Sequence, residues 1–98
     1  MAHFSELIRT GKPVLVDFFA TWCGPCKTLS PILSEVKAEL GDALSIIKVD
    51  VDKNQALSHQ YQVKGVPTML LFLNGKTIWR QSGVVSKADI IRAVQQHL

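Results

Sequence analysis

Residues 13–27 read PVLVDFFATWCGPCK. The first part, residues 13 to 20, is a nearly unbroken apolar run, the pattern of a strand covered on both faces. The second part holds Cys23 and Cys26, the only two cysteines in the chain. A cross-link between residues so close together closes almost no loop and stabilises a fold very little by entropy. The pair is therefore not a staple; it either binds something or reacts with something. Beyond it, Leu29, Leu33, Val36 and Leu40 recur at helical spacing until Gly41 ends the pattern. The cysteines thus stand where a buried strand gives way to a long helix. Gly24 permits a tight bend there. Pro25 suits the first helical turn, where its missing N–H would have had no partner.

The rest of the chain extends this unit. Residues 44 to 51, LSIIKVDV, read as a second buried strand. The helical connection makes it parallel to the first, by a right-handed crossover. Phe4, Leu7 and Ile8 predict a helix over residues 3 to 10, closed by Gly11 and Pro13. A short helix is predicted over residues 54 to 61, beginning near Asn54. The runs TMLLFL and KTIWRQ flank Asn74-Gly75, the strongest local signal for a two-residue hairpin. At the end, Ser86 and Asp89 form a capping pair. The helix they open carries Ile91, Val94 and Leu98 on one face. The order is α-β-α-β-α-β-β-α. An α/β fold with helices on both faces of a mixed sheet is the economical way to bury two such apolar strands.

The 98 residues leave room for one domain. Hydrophobic residues make up 47% and charged residues 19%, an ordinary globular balance. No apolar run approaches the roughly twenty residues that span a bilayer, so no membrane is expected as a partner. The start, MAHFSELIRTGK, does not read as a secretory signal, and the reducing cytoplasm is the expected compartment. The net charge is +3, but the lysines and arginines are scattered from Arg9 to Arg92. Such a surface is solvated and at most steers acidic partners; nucleic acid is not expected.

A C-x-x-C pair is also half of many zinc sites. Zinc needs four ligands, or three and water, and the only histidines, His3, His59 and His97, have no chelating interval. A C-x-x-C pair within a β-α-β pattern favours redox chemistry over metal, and no metal site is expected.

With WCGPCK at residues 22–27, the chain resembles the thioredoxin family, whose active site has this motif. Several separate features carry the same resemblance: Asp17, Pro31, Lys48, Val66-Pro67-Thr68, Asn74-Gly75 and Gly83. The match runs from about Lys12 to the C-terminus. It implies a three-layer sandwich with a central mixed sheet. Only Met1 and Ala2 precede the first helix, where the family usually carries a strand, so that strand is expected to be absent or short and one sheet edge open. Phe19 stands where many members carry a tryptophan.

The resemblance also implies roles. Cys23 is the nucleophile and Cys26 the resolving thiol, which fits disulfide exchange through a mixed-disulfide intermediate. Asp17 is the base that takes the proton of Cys26, with Lys48 as its partner. Read without the resemblance, Asp17 could be a solvated edge residue and Lys48 a charge that snorkels out of the sheet. Pro67 could be an ordinary strand-start proline. In the family the matching bond is cis and leaves the backbone of Val66 free to pair with an extended substrate segment. Trp22, Gly24, Pro25, Gly83 and Val84 would complete the docking surface. Pro31 would only bend its helix. Gly-Pro between the cysteines points to a reductant.

Two functions follow. One is a monomeric dithiol carrier that reduces disulfides in target proteins, holds no bound cofactor, and is recycled by a flavin-dependent thioredoxin reductase using NADPH. The other is a non-catalytic binding subunit that uses the same patch. The intact cysteine pair with Asp17 and Pro67 favours the first, since binding alone would not require two thiols.

Overall fold

β1 (Val14–Phe19) is an inner strand of the sheet in the computed structural model, which describes residues 3–98. β1 pairs in parallel with β2 (Ser45–Asp50) and antiparallel with β3 (Thr68–Leu73). β3 continues through the hairpin into β4 (Lys76–Ser82), giving the order β2-β1-β3-β4. Because β1 has neighbours on both sides and helices above and below, residues 14 to 18 are all buried. No strand precedes the first helix among the described residues, and β2 forms one sheet edge.

Alternation along β1 divides the interior. Leu15 points to one face with Met69 and Leu71, under α2 (Gly24–Leu40) and α4 (Lys87–Gln95). Val14, Val16 and Phe18 point to the other, where α1 (Phe4–Leu7) supplies Phe4, α3 (Gln55–Gln60) supplies Leu57, and Tyr61 follows from the α3 C-cap. The helices therefore cover both faces, as the apolar strands require. At the hairpin, Asn74 and Gly75 both have positive φ, 51° and 84°, which suits the twist of the flanking strands. A short 3-10 turn, Gly41–Ala43, follows α2.

Two expectations shift. The first helix is a single turn, Phe4–Leu7, and not residues 3 to 10. Ile8 leaves it to be buried, and its carbonyl accepts the N–H of Gly75 at the hairpin tip. A tertiary contact thus outweighs a weak local preference. Leu98 lies beyond α4 and is 63% exposed; Ile90, with Ile91 and Val94, carries the buried face instead. α3 begins just after Asn54, where it is expected, and the Asn54 side chain donates to the Asp50 carbonyl.

Candidate active site at the N-terminus of the long helix

Cys23 is the N-cap of α2, with Gly24 and Pro25 in the first turn. An N-cap side chain normally accepts a hydrogen bond from a free backbone N–H, and here the acceptor is sulfur. The Cys26 N–H points at Cys23 Sγ at 3.1 Å. A 17-residue helix behind it places the positive end of the helix dipole at this sulfur. Both effects favour the anion over the thiol once the pair is reduced. In this structure Cys23 and Cys26 are joined in a disulfide. Both are almost fully buried, at 4% and 5% exposure, with Ala20 beside them.

The loop before β3 brings a second element to the pair. Cys23 Sγ lies 3.7 Å from the Val66 carbonyl oxygen. The Val66-Pro67 bond is cis, and the Pro67 ring is buried while Val66 is half-buried. Gly83, with φ 86°, donates its N–H to the Pro67 carbonyl at 2.9 Å, which joins the end of β4 to the same loop. The structure thus brings together Cys23, Cys26, Val66, Pro67 and Gly83, with Gly24, Pro25 and Val84 exposed. Trp22 is 70% exposed, and its Nε1–H donates to Asp52 Oδ2 at 2.9 Å. With Val51, Val63, Lys64, Gly65 and Val66 it lines a depression of about 120 Å³ beside the disulfide. Asp52 escaped the sequence reading, because a contact across thirty residues leaves no local signal.

Asp17 shares the β1 face of Leu15, the one that α2 covers. Its side chain is fully buried, and neither carboxylate oxygen has a hydrogen-bond partner. Loss of solvation pushes its pKa up from 3.8 to about 6, and the positive charge of Lys48 pulls partly the other way. Lys48 is the register partner of Asp17 on β2, yet the two make no hydrogen bond. Its Nζ donates instead to Ser30 Oγ at 2.8 Å and lies 5.3 Å from the Phe19 ring centroid. Lys48 acts on Asp17 through its field alone. Pro31 lies within α2, one turn past the cysteines. Among the described residues no group of three or more His, Cys, Asp or Glu side chains could hold a metal, and no helix is long and apolar enough to cross a membrane.

A cysteine pair at a helix N-terminus, next to an exposed apolar rim and a half-buried backbone edge, can exchange with another chain: reduced, its thiolate attacks a disulfide, and oxidised, it accepts an incoming thiolate. Comparison with known proteins points the same way. The family model for thioredoxin matches residues 1–96. A thioredoxin of Mycolicibacterium smegmatis is 46% identical over 96 residues, covering 96% of this chain and 86% of that one. A bifunctional thioredoxin reductase/thioredoxin of Mycobacterium leprae is 44% identical over 91 residues, 93% of this chain and 20% of that protein. Among solved structures, a mutant thioredoxin of Halobacterium salinarum superposes with a TM-score of 0.86 at 32% identity, covering 95% of this chain and 80% of that one.

Proposed function

The chain belongs to the thioredoxin family and is a disulfide oxidoreductase acting on other proteins; on that premise we propose how its residues divide the work. Cys23 is the attacking thiolate. It bonds to one sulfur of a target disulfide, that S–S bond breaks, and the second target sulfur leaves as a thiolate that takes up a proton. Cys26 then loses its proton to the Asp17 carboxylate, directly or through water. Its thiolate attacks Cys23 Sγ and expels the first target sulfur. The dithiol gives up two electrons and two protons, and the target disulfide receives them. A carboxyl near 6 is a stronger base than one at 3.8, yet still ionises near neutral pH.

The observation that carries this reading is the Cys23–Cys26 disulfide at the N-terminus of α2, facing the Val66 carbonyl. The half-buried Val66 edge offers backbone groups to an extended target segment by strand addition. Trp22, Gly24, Pro25, Pro67, Gly83 and Val84 form the surface around it. Lys48 tempers the charge of Asp17. For recycling, we infer a thioredoxin reductase drawing on NADPH through flavin. The Mycobacterium leprae relative, which joins a reductase and a thioredoxin in one chain, supports that pairing. We infer that it works as a monomer in the cytoplasm, a compartment in which thiols are kept reduced.

Substitution of each cysteine tests the division of roles. Cys23→Ser should abolish reduction of target disulfides, because no attacking thiolate remains. Cys26→Ser should still attack but fail to release, leaving mixed disulfides that mass spectrometry identifies. Equal residual activity in the two variants would refute the assignment.

A further inference from the structure

Arg80 takes no part in the chemistry above, yet its exposed side chain holds two backbone groups of another segment. It pairs with Leu70 across the hairpin and so lies on the sheet face shared with Tyr61 and Val63. From there its Nη1 donates to the Tyr61 carbonyl at 2.6 Å and its Nη2 to the Gln62 carbonyl at 2.8 Å. These carbonyls lie just past α3, at its C-cap and the residue after it, beside the negative end of the helix dipole. Two parallel donors in a rigid plane suit two successive carbonyls, which a lysine cannot imitate. Gln62 has φ 54°, a left-handed conformation that a residue with a side chain adopts at a cost and that neighbours must hold.

The chain that leaves this anchor runs to the redox centre. Val63 N–H is held by the Ser58 carbonyl, the Gly65 carbonyl by Thr68 Oγ1, and the Pro67 carbonyl by Gly83 N–H. Val66 stands between the last two, 3.7 Å from Cys23 Sγ. We propose that Arg80 is a positioning residue for protein substrates: it fixes the loop from Tyr61 to Val66, and with it the backbone edge on which a target segment must lie against Cys23. This rests on the reading of Val66 as a docking edge. The thiols themselves, held by α2, do not depend on Arg80.

The experiment compares Arg80→Met, which keeps the aliphatic stem without donors, with Arg80→Lys, which restores one point charge. Each is assayed with insulin, whose disulfides must be bound as part of a chain, and with 5,5′-dithiobis(2-nitrobenzoate), which needs no docking edge. Arg80→Met should raise KM for insulin roughly ten-fold, the scale of one charge-assisted hydrogen bond lost, with kcat and the small-disulfide rate within about two-fold. Arg80→Lys should fall between. An unchanged KM, or an equal fall with both substrates, would overturn the proposal and make Arg80 a structural clamp. If Arg80→Met melts below the assay temperature, Arg80→Lys decides alone by the same criterion. A wild-type protein that reduced the small disulfide but not insulin would instead overturn the functional reading, and this inference with it.

Discussion

If Asp17 is the base for Cys26, as proposed, this residue trades stability for chemistry. A carboxyl buried with no hydrogen-bond partner disfavours its anion, and its pKa rises from 3.8 to about 6. A raised folded pKa means that the stability associated with this group is fullest below the unfolded value. It is lost as pH climbs from about 4 through 6. Above that window the cost is about 3 kcal/mol, from about 1.4 kcal/mol for each pH unit between 3.8 and about 6. Asp17→Asn removes the charge at similar size, so it should be more stable than the parent above pH 6, by up to that amount, with the difference vanishing near pH 4. It should also slow reduction of protein disulfides, because Cys26 loses its base. Denaturant melts across this pH range, paired with a turnover assay, check both parts. A variant that is less stable and fully active would show that Asp17 is structural.

At the scale of elements, the turn and cap chemistry carries the sharpest expectations. Gly75 has φ 84°, and a Cβ there would come within 3.0 Å of the Arg9 side chain. Arg9 can move, but the left-handed backbone cannot be relieved, so Gly75→Ala should cost roughly 1–2 kcal/mol in a urea melt. Ser86 accepts the Asp89 N–H at the start of α4, and Ser86→Ala should cost about 1 kcal/mol by the same measurement. These features were legible in the sequence because they are local: Asn74-Gly75, the Ser86 cap, the helical spacing of Leu29, Leu33 and Val36, and the apolar run of β1. So was the position of the cysteines at a strand-to-helix junction. What was not legible depends on reach between elements. Ile8 abandons its helix for a bond to Gly75. Lys48 turns to Ser30 rather than Asp17. Asp52 and Arg80 meet Trp22 and the end of α3 only once the sheet is assembled. Periodicity cannot encode a side chain's distant partner.

At the scale of the whole molecule, the sheet has two edges, β2 and β4, and an edge strand can pair with another copy unless something blocks it. In β4 the register slips between Leu71↔Trp79 and Phe72↔Thr77, leaving Ile78 as an extra residue that bends the strand. β2 is regular. Ser45 N–H bonds to the Pro13 carbonyl and Val51 N–H to the Phe19 carbonyl, so the odd-numbered residues face β1. The backbone groups of Ile46 and Lys48 therefore point outward, and among the described residues no strand meets them. The outer run Ile46-Ile47-Lys48-Val49 is strand-forming, and its one charge, the exposed Lys48, sits in the middle. That charge opposes edge-to-edge pairing, since a second copy would bring another lysine to the same edge. Lys48→Ile should then associate with rising concentration in sedimentation equilibrium, while the parent stays monomeric. The substitution also removes the field that lowers the pKa of Asp17, which would weaken the fold and could itself promote association. Lys48→Glu separates the two causes: its anion burdens Asp17 even more than Lys48→Ile does, but it leaves a charge on the edge. If Lys48→Glu stays monomeric and Lys48→Ile does not, the edge charge is the barrier. If both associate, the barrier is the stability that Lys48 lends to Asp17; if neither does, the β2 edge is protected without Lys48.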